Sequence, residues 1–314
     1  MSVSLRVRRA IPQSLKSAFR QWSTPWRVSR LVSPYLPKTV CVDVGASYYP
    51  HGNWLIFLNS PKTEWVAVEP NEANIGYVNS WAWPCQVVSR KTGLSRDGGP
   101  QTLYVTNVDS GSSLLKPEIS ASMQHRIKNL DYFFPIRECR IQTLTLVQAL
   151  DGLAADAPIC VKLDTQGSEL SILQGAQSLF QARRIIGIEM ESTLLAQPIM
   201  QGSGKFWEAC QFMELQGFEL LLVKPIHAPR RAGLFRPEGV RYLNECDAVF
   251  AIRADIAQGL DVSYRTSLLA FYLANKLYEE ALGLVERDAG VVEFLRVRQC
   301  PLDRLTATLR ILAQ

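Results

Sequence analysis

TVCVDVGASYYPHG, residues 39–52, decides how the rest of the chain is read. An apolar run of strand length ends at Asp43 and turns through Gly45, as a buried parallel strand does on entering a ligand-binding loop. A dinucleotide loop needs two further glycines, so that backbone and helix N-terminus can approach a pyrophosphate. Ser47 and Pro50 stand where those glycines should be. The stretch therefore predicts a strand-end turn with one close backbone approach, at Gly45, and little room for a pyrophosphate.

Working outward, the same pattern of an apolar run stopped by an acid and then by Gly or Pro recurs in EWVAVEP (64–70) and PICVKLDTQG (158–167). Further strands are expected in CQVVS (85–89), QTLYVTN (101–107), RIIGIEMES (184–192), FELLLVK (218–224) and CDAVFAI (246–252). IQTLTLVQAL (141–150) leads into the strand at 158, helices are expected over 168–182 and 203–217, and residues 52–60 have room for about two helical turns. This order predicts an α/β doubly wound sheet with helices on both faces and an antiparallel end. Residues 108–140 lack periodicity and suit an excursion over the carboxyl edge of the sheet, while the chain beyond about residue 256 carries helix formers, of which Tyr264 to Val285 fit two helices.

Ligands of such a sheet bind where the strands point their carboxyl ends. The acids placed there are Asp43, Glu69, Asp164 and Glu189. Glu69, 26 residues beyond Asp43, is suited to accept hydrogen bonds from both ribose hydroxyls of an adenosine. That predicts a nucleoside site, with a dinucleotide or S-adenosylmethionine as its occupant. The unfinished glycine motif weighs less against S-adenosylmethionine, which carries no phosphate.

Charge is unevenly spread along the 314 residues. Residues 1–38 hold six Arg, two Lys and no acid, a net +8 against +5 for the whole chain. Such an arm is attracted to anionic lipid head groups, nucleic acid or an acidic glycan; the favoured reading is a solvated helix packed on the main domain, with an organelle transit segment as a minor alternative. The composition divides the chain into this arm (1–38), a ligand-binding domain (39–255) and a helical extension (256–314) that caps the domain or dimerises. No apolar run approaches the roughly 20 residues needed to cross a bilayer. Seven cysteines without a Cys-x-x-Cys pair point to a reducing cytoplasm and no structural zinc.

Several separated stretches, CVDVGA (41–46), VAVEPN (66–71), SGSSLL (110–115), VKLDTQGSELSILQGA (161–176) and IIGIEMES (185–192), resemble the FkbM family of S-adenosylmethionine-dependent methyltransferases in content, order and spacing. The resemblance spans about residues 39–253. It implies a class I methyltransferase (Rossmann-like) fold, S-adenosylmethionine as donor and a hydroxyl acceptor, often on a sugar or polyketide-like scaffold. By the same resemblance Asp43, Gly45 and Ala46 match the cofactor turn, Glu69 and Asn71 the ribose-binding acid and its neighbour, and Lys162 and Asp164 the Lys-x-Asp that ends the fourth strand. The chain departs from the family at Tyr49, where a glycine is common.

An alcohol attacks a methyl group poorly while protonated, so a base within roughly 2.6–3.2 Å of its oxygen is expected. Asp164 is the first candidate and His125 the second, with Lys162 paired to Asp164 or Glu189 to keep a carboxylate ionised. Ser112, Glu189 and His51 are candidates for holding the acceptor, and Glu191 shares a strand face with Glu189. The three histidines, at 51, 125 and 227, are scattered, so no metal site is expected. The expected partner is a small-molecule or glycan acceptor and not a specific nucleic acid, with membrane-surface contact through residues 1–38 and oligomer contacts through the C-terminal helices. The rival reading is a non-catalytic binding or assembly module that works through its arm and tail.

Overall fold

The structure, a computed structural model, describes residues 24–47, 52–80, 82–120, 123–124, 130–228 and 242–314. His51, His125, Tyr49 and most of the basic arm lie outside these residues. The strands are β1 (Thr39–Val44), β2 (Thr63–Val68), β3 (Gln86–Arg90), β4 (Gly93–Leu94), β5 (Gly99–Thr106), β6 (Pro135–Leu144), β7 (Ile159–Leu163), β8 (Ile185–Thr193), β9 (Phe218–Ala228) and β10 (Tyr242–Ile252). The helices are α1 (Thr24–Val32), α2 (Leu55–Leu58), α3 (Glu72–Asn79), α4 (Leu146–Ala149), α5 (Glu169–Gln174), α6 (Gln177–Gln181), α7 (Phe206–Leu215), α8 (Ala254–Ala257), α9 (Val262–Ala274), α10 (Tyr278–Arg287), α11 (Ala289–Val297) and α12 (Leu302–Leu312).

The main sheet has the order β3-β2-β1-β7-β8-β10-β9. The first five strands run parallel, and β10 inserts antiparallel to both β8 and β9. This is the doubly wound sheet with an antiparallel end. β1 is buried at every position, which is why TVCVDV reads as a continuous run rather than an alternation: a central parallel strand is covered on both faces. The order reverses between β1 and β7, so the crevice for a ligand opens at their carboxyl ends.

The core does not stop at the sheet. Val28 and Val32 of α1 are buried in the same cluster as β1, and so are Phe271 of α9, Val291 of α11 and Leu305 and Leu309 of α12. The joint between sheet and C-terminal helices is tight at Gly187 of β8, where a Cβ would lie 2.6 Å from the Phe271 ring. Trp54 fills the same layer, edge-on to Trp65 and Phe271 at 6.0 Å.

Two expectations are corrected. Residues 135–144 form β6, which pairs with β5 and β4 in a separate three-stranded sheet, so the excursion over 108–140 is strand at its end. β6 is exposed or half-buried at all positions but one, so it has no apolar period for a sequence reading to detect. The helix expected over 168–182 breaks into α5 and α6 at Gly175, where a Cβ would sit 2.2 Å from the Arg96 carbonyl oxygen. Over Tyr264–Val285 the structure has two helices, α9 and α10, separated at the left-handed Lys276 (φ 61°), and α11 and α12 follow them.

Replacing Gly187 by Ala forces a methyl group into the Phe271 ring and is expected to destabilise the fold by about 1–3 kcal/mol. Urea unfolding checks this: the midpoint falls and the slope stays unchanged.

Candidate functional site

Asp43, Lys162 and Glu189 are register neighbours across β1, β7 and β8, so their side chains stand in one row on one face of the sheet. Asp43 and Glu189 are each 3% exposed. Lys162 Nζ lies 3.5 Å from Asp43 Oδ1 and 3.6 Å from Asp164 Oδ2. Burial opposes the charge on Lys162, but Asp43, then Asp164, Glu189 and Asp247, hold its ammonium well above the ordinary lysine value. Glu189 completes the row differently from expectation. It accepts from Trp54 Nε1 at 2.7 Å and from Lys224 Nζ at 2.7 Å, and Lys224 also reaches Asn275 Oδ1 at 3.0 Å. It joins the sheet to the helical layer and is not among the residues lining the cleft described next.

Above this row, at the crevice between β1 and β7, is a cleft of about 680 Å3, counted to its open mouth. Gly45 forms its floor with φ +82°, and a Cβ there would lie 2.0 Å from the Asp164 carbonyl oxygen. The ends of β1 and β7 can meet this closely only at glycine. The Gly45 and Ala46 N–H groups both donate to the Val68 carbonyl, at 2.9 and 3.2 Å, and fold the turn onto β2. Glu69, Asp109, Ser112 and Asp164 line the cleft, and Leu94 and Leu103 of the small sheet supply an apolar wall.

Of the residues singled out from sequence, Gly45, Glu69, Ser112 and Asp164 are brought together on this wall. Asp43, Lys162 and Ala46 lie behind it. Asn71 does not face the cleft either: its Oδ1 caps α3 by accepting from Ala73 N at 3.0 Å, and its N–H donates to Glu69 Oε1 at 2.8 Å. Asn74, one turn into α3, does line the cleft, and sequence reasoning missed it. Its Oδ1 is buried and finds no hydrogen-bond partner among the described residues. Asp109, directly before the SGSSLL stretch, was missed as well.

A further missed residue is Glu169, which shapes the turn after β7. Its carboxylate accepts from Thr165 N at 2.7 Å and from Gly167 N at 3.1 and 2.9 Å. The signal was present, since an acid in the first turn of a helix satisfies free N–H groups. Asp164, relieved of that task, has a side chain 46% exposed and accepts only a long bond of 3.3 Å from Gln166 Nε2 among those resolved to its carboxylate. Among the described residues no three acids, cysteines or histidines are grouped to hold a metal ion.

Glu69 is 8% exposed. Burial pushes its carboxyl up to about 7; the Asn71 N–H works against the shift, while Asp109 and Asp43 add to it. A buried acid without a cation suits neutral hydroxyl donors. Together with the unpartnered Asn74 Oδ1 and the glycine floor, it fits the ribose and backbone-hugging end of S-adenosylmethionine.

A reversing parallel sheet with a single-glycine turn after β1 and an acid after β2, both on one cleft, defines the class I methyltransferase fold, Rossmann-like and nucleoside-binding. Residues 43–220, more than half of the chain, match the family model described as Methyltransferase FkbM domain. The chain belongs to the FkbM family of methyltransferases, and its methyl donor is S-adenosylmethionine. No curated protein matches the sequence. Solved structures with a similar course include precorrin-6y C5,15-methyltransferase from Geobacter metallireducens GS-15, at 12% identity and TM-score 0.33, covering 73% of this chain and 88% of that one. A SAM-dependent methyltransferase from Anabaena variabilis ATCC 29413 gives 11% and 0.31 over 72% and 81% of the two chains. The plantazolicin methyltransferase BpumL, solved in complex with SAH, gives 8% and 0.31 over 78% and 92%.

The Glu69 shift has a consequence for stability. The folded chain keeps a proton that the unfolded chain releases above about 4.5, so Glu69 favours folding at low pH and that contribution is lost as pH rises towards about 7. Glu69→Gln is expected to flatten this part of the slope of stability against pH, read as urea midpoints across that window.

Proposed function

We propose that the protein transfers a methyl group from S-adenosylmethionine to a hydroxyl of a sugar, glycan or related small-molecule acceptor. The observation that carries this reading is the Asp164 carboxylate, which stands at the end of β7 on the wall of the cofactor cleft and half open to it. Bound S-adenosylmethionine supplies a methyl group activated by its sulfonium. Glu69 and Asn74 hold the ribose hydroxyls, and Gly45 allows the amino-acid end to lie against the backbone. Asp164 takes the proton from the acceptor hydroxyl as that oxygen becomes nucleophilic. Lys162, 3.6 Å away, holds the Asp164 carboxylate in position. Ser112, whose Oγ accepts from Thr106 N at 3.2 Å, borders the acceptor's approach.

The polar side chains that line the cleft beside Asp164 support catalysis over the rival reading of a non-catalytic module that works through its arm and tail. The reading includes a cytoplasmic setting. No helix among the described residues is long and apolar enough to cross a membrane, and the charge of residues 1–38 supports contact with an anionic membrane surface. The packed C-terminal helices leave Val297 and Ile311 exposed, which supports an oligomer contact there.

The test combines calorimetry with turnover. S-adenosylmethionine is expected to bind the purified chain and NAD to fail, and Glu69→Ala to abolish that binding. Asp164→Asn is expected to keep the donor affinity and to lower methyl transfer to sugar acceptors about 10²–10⁴-fold. Loss of donor binding in Asp164→Asn, or undiminished transfer, overturns its role as base.

A further inference from the structure

Every serine of the SGSSLL stretch (110–115) is already engaged inside the protein. Ser112 Oγ accepts from Thr106 N at 3.2 Å, and Ser113 Oγ donates to the Gln166 carbonyl at 3.0 Å while accepting from Leu115 N at 3.0 Å. Ser110 Oγ is paired with the hydroxyl of Tyr132, 22 residues further on. All three serines line the cofactor cleft, so the stretch is a braced wall of that cleft rather than a set of hydroxyls offered to a ligand.

Tyr132 braces this wall from outside. It belongs to a short 3-10 turn, Leu130–Phe133, that rests on a second one, Asp109–Gly111. Asn107, just after β5, ties the first turn down: its Nδ2 donates to the Asp131 carbonyl at 2.9 Å and its N–H to the Phe134 carbonyl at 3.0 Å. The Tyr132 ring then lies on Gly111, where an added Cβ would stand 3.0 Å from Cε1 and 3.1 Å from Cδ1. Phe133 flanks the ring, with centroids 5.2 Å apart. A ring packed this closely has few positions open to it, and packing therefore delivers its hydroxyl to Ser110.

The inner side of the same turn belongs to the cofactor cleft. Gly111 N donates to the Val108 carbonyl at 2.8 Å and Ser112 N to the Asp109 carbonyl at 3.1 Å, and Asp109 and Ser110 both stand on the cleft wall. After burial, Asp109 is the charge that contributes most to raising Glu69, which places it near the acid at the end of β2. A shift of this turn moves the wall and the charge beside Glu69 together.

We propose that Tyr132 is a positioning residue for the methyl donor: with its hydroxyl on Ser110 and its ring on Gly111, it fixes the 109–111 turn as one wall of the cleft that holds S-adenosylmethionine. This rests on the reading of that cleft as the donor site. Tyr132 is not among the residues lining the cleft, so it acts on the donor through Ser110 and Asp109.

The test is a double-mutant cycle on donor affinity, read by calorimetry of S-adenosylmethionine with the full chain. Tyr132→Phe removes only the hydroxyl and Ser110→Ala only its partner. Each is expected to raise Kd about 3–10-fold, as loss of one hydrogen bond does, and the double variant to bind within about twofold of either single one. Ser110→Thr keeps a hydroxyl and is expected to bind within about twofold of the wild type. The bond lies at the surface, so the urea midpoints of Tyr132→Phe and the wild type are expected to coincide, whereas a purely structural role lowers the midpoint and leaves Kd in place. Unchanged Kd in both single variants, losses that add in the double variant, or Ser110→Thr as weak as Ser110→Ala overturns the role of Tyr132. Any of these results with a wild type that binds the donor sinks this role alone; a wild type that does not bind it sinks the reading of the cleft.

Discussion

A lysine whose side chain is only 13% exposed sets the terms for the rest of this molecule. Lys162 points from a central strand into the protein, where removal from water costs several kcal/mol, and it is tolerated because Asp43 stands beside it in register and Asp164 follows two residues later. Both anions must be brought to the carboxyl ends of β1 and β7, and those ends meet at Gly45, where no side chain fits. Glu189, next in the row, takes its hydrogen bonds from Trp54 and Lys224 and so pulls a loop and an edge strand inward. The charge row thus organises the sheet, the crevice above it and the helical layer behind it.

The turn after β7 illustrates how function is divided among neighbouring acids. Glu169 takes the structural task, satisfying the N–H groups of Thr165 and Gly167. Asp164 is thereby left facing the cofactor cleft, and Glu191 faces a second cavity. Gln166 separates them with one amide. The two cavities stand on either side of the five-residue turn 164–168.

Much of the sheet was legible because a central parallel strand is covered on both faces and must be uniformly apolar until an acid or glycine ends it. TVCVDVG and PICVKLDTQG carry that mark in full. β6 does not, because its side chains are largely exposed and nothing compels an apolar period. In the site, Gly45 and Glu69 were legible for the same reason as the strands they terminate. Asn71 misled because its position suited both the cleft and a helix cap, and capping won. Glu189 misled because a strand-end acid reads alike whether it meets a ligand, an indole or an ammonium. Asn74 and Asp109 gave no local pattern; only the folded chain brings them to the cleft.

The covering of β1 also has a consequence for synthesis. Thr39, its first residue, shares a hydrogen bond of 2.7 Å with Ser267, and the Leu31 carbonyl accepts from Cys300 Sγ at 3.5 Å. These contacts span 228 and 269 positions of sequence. On a chain emerging from the ribosome at about 5–20 residues per second, the first strand of the sheet waits many seconds with one apolar face uncovered. The helices that cover this face, from Val262 onward, are made only after the last strand of the sheet, so the sheet is complete before its cover is.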